Sequence, residues 1–484
     1  MKGYKTYQIV AIVIGLFLCF FGRYIPVFDG LSPSGTQTLF IMIGGLLMWL
    51  LVGVDWTSMA VIFSMALIPE VGMGKAAAGS LGNGLVFYLM LCFMLAESLK
   101  VTGVAHRLAV WFLTCDFSRK GAWHTIAMIF ISIFVLSSGL SSSATVMIFL
   151  PILYEIIESL GYTKGDDQKL PAVLIASLPI VCQVAQSTTP ISHAMTLIGF
   201  SQYASYTGQT MDFGQYVMVA LPMGILVVVA WFLISKFLLR PDTSRFQHLN
   251  YEALKGDLGP IRKEEKIAAG LYIMVIFFWL APGLSKYITP SLAPLFGVIQ
   301  QCYPPIVALI LLNFISVNGK PVLSYKDALK GAPIGMLLFM GALLELGSIF
   351  ANKQIGISAW MSTTIGSLCD GISPIVFIIL VTSVAVIGTN FMSNAVTCAV
   401  CMSIAMPLVS TIYQGAIDPF VMAVMITMGI NYAFATAPAT PPVAIVAGSG
   451  WIKTSRLFNY GMTAAAASLV LLFIVGLQLA QAII

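Results

Sequence analysis

Ser137-Ser138-Gly139-Leu140-Ser141-Ser142-Ser143-Ala144-Thr145, closed by Leu150-Pro151, and Thr389-Asn390-Phe391-Met392-Ser393-Asn394-Ala395-Val396-Thr397, closed by Met406-Pro407, are two polar knots in apolar sequence about 250 residues apart. Each is followed by a breaker: Thr188-Thr189-Pro190-Ile191-Ser192 after the first and Ala439-Thr440-Pro441-Pro442-Val443 after the second. Nearly the same number of residues separates Ser141 from Thr189 and Ser393 from Thr440. The matched spacing describes a duplicated unit in which an interrupted hydrophobic segment follows a polar hairpin tip. Unwound backbone inside a membrane is tolerated only where protein buries it or a cavity hydrates it, so such a pair marks a place where the chain meets a solute.

The surrounding composition fixes the setting. Hydrophobic residues make up 59% and charged residues 9% of the 484 residues, and the mean hydropathy is +0.95. These values place the chain among polytopic membrane proteins. At about 20 apolar residues per span, the length accommodates roughly ten to twelve helices. The net charge of +5 then concerns topology, since Lys and Arg gather in cytoplasmic loops; no basic patch with interleaved aromatics points to nucleic acid. The eight cysteines lie mostly in apolar runs, and Cys398-x-x-Cys401 has no His or second pair beside it, which favours packing over a metal or redox role. The run from Gln8 to Phe21 has no small-residue cleavage exit and reads as the first span.

The organisation predicted from apolar runs is an N-terminal group of scaffold helices over 1–80, a first repeat with hairpin and broken helix over 81–238, and a charged linker over 239–266. Further scaffold helices follow over 267–333 and a second repeat over 334–484. Lys2, Lys5 and the basic linker place both on the cytoplasmic side, while the tail from Gln478 carries no charge. About eleven spanning helices plus two re-entrant hairpins satisfy both constraints, giving an all-α membrane protein built from an inverted repeat. His106 to Cys115, flanked by Arg107 and Arg119-Lys120, reads as a helix along the interface with basic groups able to snorkel. Glu97 and Glu345 stand at comparable distances before the two knots; an acid in an apolar helix is either functional or paired with a neighbour such as Lys100.

A broken helix offers carbonyls without helical partners, and Ser, Thr and Asn add side-chain oxygens, the hard ligands that sodium prefers. The opposite half of a break offers free N–H groups with the helix dipole behind them, which suits an anion. Two knots facing each other would provide two anion-binding ends, matching a small molecule with two carboxylates. His193, just after the first breaker, is either a proton-linked group or a hydrogen-bonded wall residue.

At these residues the chain resembles the divalent anion/sodium symporter family, which carries a Ser-Asn-Thr motif at each hairpin tip and a Gly-Thr-Pro-Pro-type break in each repeat. Ser393-Asn394-Ala395 and Ala439-Thr440-Pro441-Pro442 match the second repeat. The resemblance implies a homodimer in which a scaffold domain holds the dimer contact and a transport domain moves as an elevator. It also implies a sodium site on Thr389, Ser393, Asn394 and Ala439, and a first site on Ser137, Ser141, Ser142 and Thr188. Substrate would meet Ser141, Ser142, Ser143 and Thr189 from one repeat and Ser393, Asn394, Ala395, Thr440 and Pro441 from the other. The sequence departs from the pattern at four places: Ser142 stands for the motif's Asn, Thr188 for a Gly, Ser143 for a Thr while keeping a hydroxyl donor, and Ala395 for a Thr that would bring a hydroxyl.

The resulting expectation is a multi-pass inner-membrane carrier for small organic anions, with C4-dicarboxylates or related di- and tricarboxylates leading and a sulfonate or monocarboxylate as the alternative. It would work by sodium symport or anion exchange. A membrane-embedded enzyme would need a nucleophile with a base, or a metal cluster, and the four His residues form neither. A channel fits paired breaks without charged rings less well, and a sodium/proton antiporter would hold acids in the knots.

Overall fold

The computed structural model describes residues 4–25, 30–165, 168–189, 194–249, 251, 259–288, 291, 294, 296, 298–364, 369 and 371–483. Helices dominate, and their starts follow local chemistry. Ser32 caps α2 (Pro33–Leu51), which has Pro at its first position, and Asn83 caps α5 (Gly84–Thr102) through Leu85 N. Asp212 accepts from Gly214 N and Gln215 N at the start of α11 (Phe213–Leu233). Each cap satisfies amides that the first helical turn leaves open.

The N-terminal group comprises α1 (Thr6–Phe21), α2 and α3 (Asp55–Ala66). Helix α4 (Gly72–Gly79) follows, and the segment expected as the first repeat runs through α5, α6 (Val104–Thr114), α7 (Ala122–Ser137), α8 (Ser142–Ser159), α9 (Lys169–Thr188), α10 (Ala194–Thr207) and α11. Between repeats lie α12 (Lys263–Ile288) and α13 (Tyr303–Phe314). Helix α14 (Tyr325–Lys330) follows, and the segment expected as the second repeat comprises α15 (Ile334–Ala351), α16 (Ile357–Thr364), α17 (Pro374–Phe391), α18 (Asn394–Thr411), α19 (Pro419–Gly429), α20 (Pro441–Ala447), α21 (Thr454–Leu471) and α22 (Leu477–Ala482). A two-stranded antiparallel ladder, Ser316–Val317 on Lys320–Pro321, joins α13 to α14.

The halves correspond element by element. Hairpin α7–α8 matches α17–α18, α9 with α10 matches α19 with α20, and α11 matches α21, each of these last helices ending in a π-helical stretch, Ile234–Leu239 and Leu472–Gly476. The joints repeat too. The turn from α5 to α6 passes through Gly103 at φ 88° and that from α15 to α16 through Gly356 at φ 80°, a conformation glycine reaches without steric cost.

Among the described residues ten helices are long and apolar enough to span a membrane, three of them hairpin arms, and three shorter apolar helices accompany them. The run from His106 to Cys115, expected as an interface helix, is helical as α6 (Val104–Thr114). Two boundaries differ from the sequence reading. Helix α12 starts at Lys263, inside the expected linker, with Glu264 and Glu265 in a first turn where acids favour the helix dipole. The apolar run over 419–436 is helical only to Gly429.

The two repeats interlock. Beyond the first break, α10 packs on α18 and α19 of the second repeat; beyond the second break, α20 packs on α8 and α9 of the first. Helix α9 is buried along its whole candidate span. The helices that flank each break therefore pack against the hairpin and helices of the opposite repeat.

Candidate functional site

The second break is long. From Ile430 to Thr440 the chain leaves the helix before α20 resumes. Pro438, Pro441 and Pro442 remove backbone donors there, but the stretch is held by one side chain. Asn390, in the last turn of α17 and fully buried, accepts through Oδ1 from Phe434 N at 2.9 Å and Ala435 N at 3.0 Å. Its Nδ2 donates to Val386 O and Tyr432 O, both at 2.8 Å, and the Thr436 hydroxyl donates to its carbonyl. Gly461 on α21 lies against Phe434 and Ala435 so closely that a Cβ there would overlap their backbone. Asn390 thus does for the unwound segment what a neighbouring strand would do. The sequence showed it as one polar residue in a knot; its pairing with a stretch more than 40 residues away had no local signal.

The tip of the second hairpin is open. Ser393 is the N-cap of α18, yet its side chain bonds to no helix amide. The Asn394 Oδ1 accepts from Thr389 Oγ1 at 2.9 Å, and the same hydroxyl lies 2.7 Å from Ile430 O. Three oxygens, two on side chains and one on unwound backbone, converge in a fully buried spot. Asn394 Nδ2, by contrast, has no partner among the described residues, and neither has Thr440 Oγ1. Thr440 is the N-cap of α20, but Pro441 and Pro442 lack N–H groups and its hydroxyl caps nothing.

The first hairpin is built differently. Ser141 caps α8 by accepting from Ala144 N at 3.3 Å. Thr188 Oγ1 donates back to Ala185 O at 2.6 Å, and its methyl presses on Gly224 of α11, where a Cβ would overlap it. Ser137, fully buried, is in side-chain contact with Cys182. Thr189 Oγ1 donates to Ser138 O at 2.8 Å, the bond that Thr436, not Thr440, makes in the second repeat. The rest of the first breaker, Pro190 to Ser192, and His193 lie outside the described residues.

A cavity of about 180 Å³ lies where the repeats cross, lined by Ser142, Ser393, Asn394, Ala395, Ala439, Thr440 and Pro441 from the expected set. Ser137, Ser141, Ser143, Thr188, Thr189 and Thr389 do not line it; Thr389 stands behind Asn394. Gln183 of α9, absent from the sequence-based set, does line it, as do Val54, Met195, Met336 and Phe339. The signal for Gln183 was present: two amides, Gln183 and Gln186, one turn apart on an otherwise apolar helix. None of the described lining residues is charged. Each buried polar group left without a partner costs about 1–3 kcal/mol, so a wall carrying several is complete only with a solute.

Of the two buried-helix acids, Glu97 pairs with Lys100 at 3.2 Å. Glu345 is buried beside Gly79 and borders a separate cleft of about 730 Å³. Cys398 and Cys401 are buried in α18.

The model of a sodium:sulfate symporter transmembrane region matches residues 4–484. The sodium-dependent dicarboxylate transporter SdcS of Staphylococcus saprophyticus is 24% identical, the match covering 98% of this chain and 92% of that protein. SdcS of Staphylococcus aureus strain MRSA252 is 23% identical over 95% of this chain and 89% of its own length. The YdaH transporter of Alcanivorax borkumensis, at 16% identity and a TM-score of 0.54 over 82% of this chain and 85% of that one, shares the fold. With a family model spanning nearly the whole chain and the duplicated hairpins at its centre, this protein belongs to the sodium:sulfate symporter family, the divalent anion/sodium symporters.

Proposed function

We propose that the protein carries small organic dianions, C4-dicarboxylates or related di- and tricarboxylates, across the inner membrane, coupled to sodium or in exchange for another anion. The observation that carries the reading is the central cavity. It is small, below the 300–1,000 Å³ of sites for drug-sized ligands, and its described lining presents neutral donors from two repeats with no fixed charge. The uncapped N-terminus of α18 adds amides and the positive end of its dipole. Such a wall binds a dianion without trapping it. The dicarboxylate transporters that align over nearly the full length support the same substrate class.

Sodium, a co-substrate, fits the oxygens of Thr389, Asn394 and Ile430, with Ser393 and the Ala439 carbonyl beside them. Val54, Met336 and Phe339 form an apolar wall, from the α2–α3 turn and α15, facing the hairpin tip and α20. Phe339 is held edge-on by Trp49, with ring centroids 4.9 Å apart. We take this wall as scaffold and the two hairpins with α9, α10, α19 and α20 as the moving body of an elevator. The assembly is then a homodimer, with the N-terminus and linker cytoplasmic. Carrier chemistry asks for no nucleophile, and the reading excludes an enzyme.

The test is uptake of labelled succinate into proteoliposomes under an inward sodium gradient, with counterflow measured without one. Saturable uptake, abolished by Ser393→Ala or Asn394→Ala in protein that still purifies monodisperse, is expected. Transport of sulfate, a sulfonate or a monocarboxylate with no di- or tricarboxylate flux would replace the substrate class, and full activity in both variants would remove the site.

A further inference from the structure

Gln183 is 1% exposed, and among the described residues neither its Nε2 nor its Oε1 has a hydrogen-bond partner. Both conditions hold in the middle of a helix that is buried throughout, where an unsatisfied amide is costly. A structural glutamine in such a place would be tied to a neighbour, as Asn390 is. Gln183 instead faces the cavity, in the same wall as Ser142. The repeats differ at that wall. The second hairpin contributes an amide, Asn394, whose Nδ2 is also without a partner and also borders the cavity. The first hairpin has only the short hydroxyl of Ser142 at the corresponding position. Gln183 restores an amide on the first-repeat side from α9, on which α8 packs.

We propose that Gln183 is a substrate-contacting, specificity-determining residue: its Nε2 donates to one carboxylate of the transported dianion while Asn394 Nδ2 and Thr440 Oγ1 serve the other end. This rests on the reading of the cavity as the anion site. A primary amide offers two N–H donors where a hydroxyl offers one, and its longer side chain reaches further into the cavity, while its oxygen can accept from a substrate hydroxyl. A monocarboxylate, with one carboxylate to offer, leaves one of the two amides unsatisfied and is discriminated against for the reason that polar sites reject analogues lacking a group.

The experiment uses the full-length protein, purified and reconstituted, as wild type, Gln183→Leu and Gln183→Glu. It measures KM for succinate, the sodium half-saturation, and the thermal midpoint with and without succinate. Gln183→Leu should raise the succinate KM at least tenfold, leave the sodium half-saturation within twofold, and remove most of the succinate-induced stabilisation. Its ligand-free midpoint should equal or exceed that of wild type, because an unsatisfied buried amide is replaced by an apolar side chain. Gln183→Glu, which sets a carboxylate against a carboxylate, should abolish succinate uptake.

An unchanged succinate KM in Gln183→Leu, with the wild type active, overturns the proposal and leaves the cavity reading standing. A change confined to sodium dependence overturns it by giving the amide to the cation. A ligand-free midpoint well below wild type in both variants overturns it in favour of a packing role. A wild type that neither transports nor is stabilised by succinate, malate or citrate removes the cavity reading and this assignment together.

Discussion

Asn390 and Asn394 stand one turn apart at the end of α17 and the start of α18, and they use the same side chain in opposite ways. Asn390 spends all of its hydrogen-bonding capacity on protein, two bonds in and two out. Asn394 has its oxygen on Thr389 and its Nδ2 without a partner at the cavity. Removing them should therefore separate folding from transport. Asn390→Leu strands two amides and two carbonyls in a buried place, at about 1–3 kcal/mol for each group that finds no water. The expected outcome is a thermal midpoint in detergent lowered by several degrees, with little recoverable monodisperse protein. Asn394→Ala deletes an amide NH2 with no partner among the described residues and an oxygen whose donor, Thr389, keeps Ile430 O. It should hold the midpoint within about two degrees while succinate uptake is lost. Equal midpoints for the two variants would show that the clamp does not hold the unwound stretch.

At the scale of the element, the unwound stretch 430–440 depends on close approach as much as on hydrogen bonds. Gly461 lies where any Cβ would meet the backbone of Phe434 and Ala435. Gly461→Ala should push this stretch off α21, and since the neighbour is backbone rather than a flexible side chain the site cannot yield cheaply. Transport should fall at least tenfold, while the equivalent exposed-site control Gly74→Ala, with open space around it, should be silent. A second element contact is electrostatic. Glu265, at the start of α12 ahead of its apolar part, is bound by Arg107 of α6 and by Arg262 at 2.8 Å. Arg107 above all draws its carboxyl from 4.5 down to about 2. A lowered folded value means that the stabilisation is full above pH 4.5 and is lost as pH falls toward 2. The midpoint difference between wild type and Glu265→Gln should therefore shrink steadily across that window; a constant difference would show that the ion pairs contribute nothing.

These elements also show what the chain disclosed in advance. The hairpins and the helix after Gly103 were legible because apolar runs, caps and breakers are local signals with a fixed period; the interlocking of the two halves, a long-range contact, was not. The partnership of Thr189 was misjudged. Spacing pairs it with Thr440, yet the bond it makes to a hairpin carbonyl is made in the second repeat by Thr436. The second break is longer, and sequence distance carries no record of how much of it is helix. Gln183 and Asn390 were missed for a related reason: whether a buried amide is satisfied depends on elements far along the chain, so one reads as a site and the other as a clamp only in three dimensions.

For the whole molecule, the duplication is exact enough to set the architecture and unequal enough to set the coupling. In the second repeat Thr389 Oγ1, Asn394 Oδ1 and Ile430 O already converge, and Ser393 is not used as a cap. In the first, Ser141 caps its helix, Thr188 is bonded back to its own turn, and Ser142 has no amide to offer. A cation binding there would have to break local bonds before gaining ligands. One well-formed sodium site, contributed by the second repeat, is the expected consequence. Asn394→Ser should weaken sodium by at least tenfold in half-saturation, whereas Ser142→Ala should change it by less than threefold, with the substrate held saturating in both. The Hill coefficient for sodium should stay at or below two. Sodium affinity abolished by Ser142→Ala and untouched by Asn394→Ser, or a Hill coefficient clearly above two, would sink the asymmetry. Sodium-independent counterflow would make the protein an exchanger, and the second-repeat oxygens would then hold the hairpin tip to the unwound stretch rather than a cation.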